Sequence, residues 1–391
     1  MSYSGATPDK VYFDITITNL QTITEEPPIL YFNQSRSSPF VNIPEDYFLS
    51  IVRFTLDTPT LPILQVEIVP QQGNVDLTVY NISLQWTNPI APFQTFTQTT
   101  PLIFLPQNTS ATVPFPPSLT TNGLQNNATG YYDIYSYQYF IYLINRTFTQ
   151  CFTALNAQVV GAGLVLPTTF EPTMTYDTTN YIGILNVDVL GYDTQSPNYI
   201  KIFFNPALYQ LFSSFPSYIS NLTINNSLNL QIITNTFGGS NIAPFPSTAP
   251  LYNAISVYQE YSTVGLWTPI TSIVFCSNTL PIVPNQISSP LLFIDGRVLT
   301  SSNNSNIAQV ITDFVSDTGL YKPNIVYNPT AQYRLVDLQG NRPLTNIDLT
   351  VFWKDRVGVL QPFRLSSGSS ATVKILFTKK TSVSNFKNLF N

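Results

Sequence analysis

Apolar residues recur at every second position over several short stretches of the chain, and this period of two limits the fold more than any other feature. Over residues 11–17 the apolar side chains of Val11, Phe13, Ile15 and Ile17 alternate with polar ones. Such a pattern is typical of a strand with one buried face. The same alternation returns in residues 347–353 and 371–377. We therefore predict one-sided strands near both ends of the chain.

Turn-forming residues separate these stretches. Many of the 31 prolines lie between the apolar runs, as at Pro44, Pro62 and Pro281, where a missing N–H interrupts no ladder of hydrogen bonds. Residues 47–56 are apolar on both sides, so we predict a central strand that is covered on both faces. Short strands joined by Pro, Asn and Gly turns predict a mainly β chain, built as an antiparallel sandwich or barrel.

Two stretches in the middle of the chain follow a helical period instead. Residues 133–157 carry apolar side chains at spacings of three and four, with Asp133 predicted as the N-cap. Residues 205–215 begin with Asn205 as a predicted N-cap and Pro206 in the first turn. Since the cleanest strand alternation lies at the two ends, we expect a discontinuous domain of residues 1–87 and 254–391. Residues 88–253 then form a large inserted β-rich domain with short helices.

The surface of such a protein carries few charges. Charged residues make up 9% of the chain, and the net charge is −5, whereas about 25% is usual for a soluble domain. Polar but uncharged side chains therefore cover the surface, and two copies repel each other little. This composition favours a protein that packs beside neighbours in an assembly.

The residue types needed for most enzyme and metal sites are missing or badly placed. The chain has no histidine, which excludes His-based triads and zinc sites with His ligands. Its two cysteines, Cys151 and Cys276, are predicted to be buried free thiols, with a single disulfide as the alternative. The strand aspartates Asp14, Asp348 and Asp355 are predicted to face solvent. We accordingly predict no enzyme, no catalytic residues, no cofactor and no metal site.

Basic residues concentrate near the carboxyl end. Residues 354–391 hold seven basic side chains against Asp355 alone. The candidate site is a basic cluster, formed by Lys374, Lys379, Lys380 and Lys387, that faces the interior of an assembly, a polyanion or an acidic neighbour. An equally simple alternative is that these lysines protect an exposed edge strand from unwanted pairing.

Two further patterns bear on binding partners. The tryptophans Trp86, Trp267 and Trp353 could stack on sugars, but their positions within strand patterns favour core packing or subunit contacts. No run of about 18 apolar residues occurs, so we predict no membrane span.

Several segments resemble a known family. Residues 42–54, Asn-Ile-Pro-Glu-Asp-Tyr-Phe-Leu-Ser-Ile-Val-Arg-Phe, followed by Leu61-Pro62, resemble the amino-terminal signature of virophage and polinton-like minor capsid (penton) proteins. Residues 333–338, 348–353 and 373–380 resemble their closing strands. Residues 137–155 and 203–215 resemble their intervening helical segments, so the resemblance spans most of the chain.

The resemblance implies a single jelly-roll β-sandwich, of which five copies close each vertex of an icosahedral virion, with the inserted domain exposed on the particle surface. It implies a double-jelly-roll major capsid protein as the partner and assembly in the host cytoplasm. Further partners to consider are a host or giant-virus surface receptor and, through weak contacts, the packaged DNA. The alternative function is that of a carbohydrate- or receptor-binding β-sandwich attachment protein.

Overall fold

The protein divides into two compact units. The structure, a computed structural model, describes residues 8–20, 27–69, 74–107, 125, 130–224, 227–235, 241–245, 252–283, 291–292, 298–299, 309–315, 324–328, 334–356, 358 and 360–381. Met1–Leu61 and Pro269–Asn391 form the first unit, here called the terminal unit, and Pro62–Thr268 form the second, here called the inserted unit.

Short strands make up most of both units. In chain order they are β1 (Lys10–Thr18), β2 (Tyr31–Ser35), β3 (Tyr47–Asp57), β4 (Leu64–Gln65), β5 (Leu77–Thr87), β6 (Thr95–Ile103), β7 (Asp133–Ile134), β8 (Thr173–Asp177), β9 (Ile182–Asp188), β10 (Lys201–Phe204), β11 (Ser217–Ile224), β12 (Ser227–Ile232), β13 (Asn241–Phe245), β14 (Tyr252–Tyr258), β15 (Ile270–Ser277), β16 (Leu291–Leu292), β17 (Val298–Leu299), β18 (Gln309–Phe314), β19 (Asn324–Tyr327), β20 (Val336–Asp337), β21 (Asn346–Asp355), β22 (Leu360–Pro362) and β23 (Ser370–Lys379). The helices are α1 (Tyr137–Gly161), α2 (Val189–Tyr192) and α3 (Pro206–Leu211), with 3-10 turns at Pro44–Asp46 and Val264–Leu266.

Two large antiparallel sheets form the body of the terminal unit, which also contains the short β16–β17 pair. Sheet I has the order β1-β23-β3-β19, with β20 also paired to β3, and sheet II has the order β18-β15-β21-β2, with β22 beside β21. Apolar side chains from both sheets share one core. The ring of Phe54 on β3 lies 5.0 Å from that of Phe275 on β15 and 4.9 Å from that of Phe314 on β18. The mainly β antiparallel prediction is confirmed, and the unit is a sandwich.

The order of the strands identifies the type of sandwich. Numbered one to eight along the chain, the main strands of the terminal unit are β1, β2, β3, β15, β18, β19, β21 and β23. Sheet I then has the order 1-8-3-6, and sheet II has the order 5-4-7-2. Because the first and last strands pair and most connections cross between the sheets, we infer a jelly roll. The inserted unit lies between its third and fourth strands.

The inserted unit is built on two larger sheets and one long helix. Its sheets have the orders β11-β12-β10-β5-β6 and β13-β14-β9-β8, with a short β4–β7 pair. Helix α1 buries one stripe of side chains in the core, at Phe140, Ile144, Phe148, Cys151 and Leu155. The predicted helix over residues 133–157 therefore exists, but it begins at Tyr137. Asp133 is not its N-cap, because it lies in β7 and pairs with Gln65 of β4.

The predicted helix over residues 205–215 is α3, which begins as predicted and ends earlier, at Leu211. The side chain of Asn205 accepts a hydrogen bond from the N–H of Leu208, 3.2 Å away, and Pro206 occupies the first turn of α3. The three tryptophans are all buried, which agrees with core packing.

The unit boundaries differ from the predicted ones at residues 87 and 254. Strand β5 pairs with β6 and β10, and β14 pairs with β9, so both strands lie in the inserted unit. A one-sided strand shows the same alternation in whichever sheet it lies, and the pattern alone could not assign these two. The assignment of domain boundaries therefore follows from pairing partners.

Two of the three strand aspartates differ from prediction. Asp14 is exposed, whereas Asp348 and Asp355 are buried. Alternation correctly points Asp348 away from the sandwich core, but the turn that follows β15 folds over it. Alternation tells to which side of a sheet a residue points, and it does not tell what covers that side.

Candidate assembly surface

The outward face of sheet I carries a charged row across three neighbouring strands. The strand register places Asp14 of β1 opposite Lys374 of β23, and Lys374 opposite Arg53 of β3. The carboxylate of Asp14 lies 3.2 Å from Nζ of Lys374 and 3.8 Å from a guanidinium nitrogen of Arg53. Lys374 also lies over the ring of Tyr12, with Nζ 5.3 Å from its centroid. One carboxylate thus offsets part of the charge of two cations.

A second ion pair lies at the far end of the same strand. Nζ of Lys380 is 2.8 Å from the carboxylate of Asp337 and 5.2 Å from the ring centroid of Phe48. Along a strand, the six residues from Lys374 to Lys380 span roughly 20 Å. The structure therefore places Lys374 within β23 and Lys380 just after its end, without bringing the two lysines into contact.

The remaining two lysines of the predicted cluster are placed differently. Lys379 ends β23, and its backbone N–H donates to the carbonyl of Asp9 at 2.8 Å. Among the described residues no carboxylate pairs with its ammonium group. Lys387 lies outside the described residues. A role for these lysines against the particle interior or a neighbour stays a prediction.

The edge-strand alternative is wrong for Lys374 and Lys379, the two lysines that lie on β23. Strand β23 lies inside sheet I, where it pairs with β1 on one side and with β3 on the other. No open edge of β23 needs protection over its paired length. The sequence could not show this, because the partners of β23 lie more than 300 residues away.

Charge is distributed unevenly between the two units. The inserted unit holds eight acidic and two basic residues, and the terminal unit holds thirteen acidic and fourteen basic residues. The net charges are therefore −6 and +1. The two cations of the inserted unit are Arg146 and Lys201, and no charged residue occurs between Asp76 and Asp133. The sequence analysis missed this long uncharged stretch, which a count along the chain would have found.

Both cysteines are free and buried, and they lie in different units. Burial raises the pKa of the Cys151 thiol to about 11 and that of Cys276 to about 12. The prediction of two buried free thiols is confirmed, and neither thiol is reactive at neutral pH.

No helix among the described residues is both long enough and apolar enough to cross a membrane.

Comparisons with known proteins connect this architecture to virus capsids. The family described as Sputnik minor capsid protein V18/19 matches residues 11–379. The chain is 33% identical over 165 residues to uncharacterized protein V18 of Sputnik virophage, covering 41% of this chain and 95% of that one. It is 31% identical over 201 residues to structural protein V19 of the same virophage, covering 49% of this chain and 86% of that one.

Solved structures with the same fold cover nearly the whole chain. A chain of the Sputnik virophage structure determined by cryo-EM superposes with a TM-score of 0.79 at 26% identity, over 96% of this chain and 99% of that one. The crystal structure of the mavirus penton protein superposes with a TM-score of 0.61 at 14% identity, over 95% of this chain and 99% of that one. The second comparison shows a shared fold.

Proposed function

Because the chain belongs to the family of the Sputnik minor capsid protein V18/19, we propose that five copies of it close each vertex of an icosahedral virion. The protein is a minor capsid protein, a structural component of the virion. The family resemblance stated from the sequence is confirmed. The proposed partners are four further copies of the same chain and a double-jelly-roll major capsid protein, and the proposed place of assembly is the host cytoplasm.

The similarity to a chain of the Sputnik virion over 96% of this protein carries the proposal. The physical features of the chain support it. A ring of five buries the left side of each copy against the right side of the next, and this arrangement closes without leaving free interfaces. A surface with few charges lowers the cost of removing water from such contacts. In this role the protein acts mechanically, and we expect no catalytic activity.

The mass of the purified full chain in solution tests the proposal. We expect a pentamer of about 220 kDa, since one chain has a mass of 43.7 kDa. Analytical ultracentrifugation measures this mass directly, and electron microscopy of particles shows whether the chain lies only at vertices. A monodisperse monomer that turns over a sugar or an ester would overturn the proposal.

We propose that the basic carboxyl end contacts an acidic neighbour or the packaged DNA. The double substitution Lys379→Gln and Lys380→Gln removes one cation that no carboxylate of the described residues pairs with, and one partly exposed ion pair; such pairs contribute only about 0–1 kcal/mol to stability. The variant should therefore fold normally and yet give fewer full particles, with the deficit relative to the wild type shrinking at higher salt, because salt screens the same attraction in the wild-type protein. Particle yield and genome content per particle measure this effect.

A matched control removes two cations elsewhere in the terminal unit. Arg36→Gln with Arg334→Gln should leave particle yield and genome content at the wild-type level. Equal particle yield and genome content in the two double variants would show that the basic carboxyl end makes no such contact. That result would leave the proposed vertex role unaffected. Contact of the inserted unit with a host or giant-virus receptor, including a glycan, stays a prediction.

A further inference from the structure

The inserted unit gathers its most exposed apolar side chains at one end. Of its described residues, four apolar side chains are more than 70% exposed: Ile90 and Phe93 at 72% each, Val165 at 79% and Leu190 at 73%. Soluble proteins expose single apolar side chains routinely, but a group of them marks a contact surface. We call these four residues the apolar end.

Ile90 and Phe93 lie in the loop that joins β5 to β6. Hydrogen bonds hold this loop in shape: the N–H of Asn88 donates to the carbonyl of Gln94 at 2.8 Å, and the N–H of Ile90 donates to Oδ1 of Asn88 at 3.2 Å. Two prolines, Pro89 and Pro92, restrict the backbone further. The loop therefore presents its two large side chains already ordered, which lowers the entropy lost on binding.

Leu190 lies at the same end of the unit. It precedes Gly191, whose carbonyl accepts the N–H of Ile200 at 2.7 Å. Ile200 is followed by Lys201, which is paired with Gln85, two residues before the end of β5. Helix α2 thus lies beside the end of β5 from which the loop extends.

Val165 is brought to this end by two contacts. The side chain of Gln158, in the last turns of α1, donates to Oε1 of Gln98 on β6 at 2.8 Å. After the helix the chain reaches Thr168, which contacts α2. Thr168 packs so tightly on Gly191 of that helix that a Cβ on the glycine would collide with Cγ2 of Thr168. Val165 lies in the segment between these two contacts.

We propose that the apolar end inserts shallowly into the surface of an electrically neutral lipid bilayer. Insertion requires no charged side chain of the β5–β6 hairpin to leave water, because no charged residue occurs between Asp76 and Asp133, a stretch that includes the whole hairpin. Within the loop, Pro89 and Pro92 have no N–H, and that of Ile90 is already bonded. Backbone groups must be satisfied internally before they enter an apolar phase, and this loop meets much of that condition.

A cation and an aromatic ring lie near the end of β5 from which the loop with Ile90 and Phe93 extends. Nζ of Lys201 lies 5.9 Å from the ring centroid of Tyr199. From Gln85, the partner of Lys201, five residues of chain lead to Ile90, a distance of roughly 17 Å if extended and less along the loop. Lysine and tyrosine are both suited to the boundary between lipid and water.

The arrangement fits a lipid surface better than a protein partner. Three separate elements, the hairpin loop, the segment after α1 and helix α2, each project one or two apolar side chains. A protein would need a matching pocket for each of them, whereas a bilayer accepts all at a common depth. The net charge of −6 on the inserted unit disfavours anionic lipid surfaces, so the bilayer surface we propose is zwitterionic.

Flotation of the full-length protein with phosphatidylcholine vesicles tests the inference. We expect the wild-type protein to float with the vesicles and to bind more weakly when phosphatidylserine is added. Ile90→Ser with Phe93→Ser should lower the partition coefficient by about 100-fold, since both side chains leave the apolar phase. In a second experiment, Phe93→Trp adds an exposed indole to three buried ones, and brominated lipids should quench its fluorescence.

A matched control removes one aliphatic and one aromatic side chain elsewhere in the same unit. Ile219 and Tyr261 are 63% and 60% exposed, and Ile219→Ser with Tyr261→Ser should leave vesicle binding unchanged. Absence of flotation, equal losses in both double variants, or no quenching of Phe93→Trp would each overturn the inference. Because vesicle binding is measured on the purified protein, its failure would leave the vertex proposal standing.

Discussion

Replacement of Asp348 by alanine is expected to lower the free energy of unfolding of the terminal unit by about 4 kcal/mol, since hydrogen bonds to a charged acceptor contribute about 1.5–3 kcal/mol each and part of that is regained from water. The buried carboxylate accepts from Oγ of Ser277 at 2.5 Å and Oγ1 of Thr279 at 2.6 Å. It also accepts the backbone N–H groups of Asn278 at 2.9 Å and Thr279 at 3.0 Å. One side chain thus holds the turn that follows β15.

Hydrogen exchange read by mass spectrometry measures this effect locally. Peptides from β15, its following turn and β21 should exchange faster in Asp348→Ala, whereas peptides from the inserted unit should be unchanged. The control is Asp14→Ala, which removes an exposed carboxylate from the same unit and should cost less than about 1 kcal/mol. Equal acceleration in both variants would contradict the structural role of Asp348.

The same carboxylate makes the terminal unit sensitive to acid. Burial alone would raise the pKa of Asp348, but hydrogen bonds from Ser277, Thr279 and the backbone outweigh burial and hold that pKa below its usual value. A lowered pKa in the folded state means that the stabilisation is present above about pH 4, the value for an unfolded chain, and is lost as the pH falls further. In Asp348→Asn the loss of stability that protonation of this carboxylate causes below about pH 4 should be absent.

The strands and the predicted helices could be read from the sequence because each depends on local periodicity. Alternation from Val11 to Ile17 identified β1, and the spacing of Phe140, Ile144 and Phe148 identified α1. Local pattern also placed the cap at Asn205. It failed at Asp133, because the pairing of this residue with a strand far away in the chain outweighs its suitability as an N-cap.

Features that depend on distant pairing could not be predicted. Alternation assigns neither β5 nor β14 to a unit, and it does not show that β23 lies between β1 and β3. Because these neighbours come from opposite ends of the chain, the contacts of Lys374 with Asp14 and Arg53 became visible only with the register. The exposed Ile90 and Phe93 escaped attention because an apolar loop residue looks like a core residue until the fold shows it in solvent.

The second buried carboxylate, Asp133 in the inserted unit, is expected to behave in the opposite way to Asp348. Burial raises its pKa to about 7, although hydrogen bonds from Gln65 and Tyr135 act to lower it. The donors, Nε2 of Gln65 at 3.1 Å and the hydroxyl of Tyr135 at 3.3 Å, are neutral, and no cation pairs with Asp133 among the described residues. The neighbours of Asp133 therefore stabilise its ionised form too little to offset the cost of burying the charge.

The sign of the pH dependence follows from the raised pKa. Between about pH 4 and pH 7 the unfolded chain releases the proton of Asp133 and the folded chain retains it, so the unfolding free energy falls as the pH rises and levels off above pH 7. The full loss is about 4 kcal/mol, since each pKa unit corresponds to about 1.4 kcal/mol. An asparagine side chain at this position is neutral at every pH, so Asp133→Asn should remove this slope and stabilise the inserted unit at about pH 8.

Hydrogen exchange of peptides from β4 and β7, corrected for the intrinsic effect of pH, measures the slope in the wild-type protein and the variant. The control Asp177→Asn lies in the same unit, and its carboxyl has a pKa below the usual value because Asn180 and the backbone of Thr179 donate to it. Asp177 is ionised across this whole range, so the control should keep the wild-type slope. A slope unchanged in Asp133→Asn would show that this carboxyl ionises at an ordinary pH despite its burial. A slope that disappears would make the inserted unit the part of the protein that loosens towards neutral pH, while the terminal unit loosens only in acid.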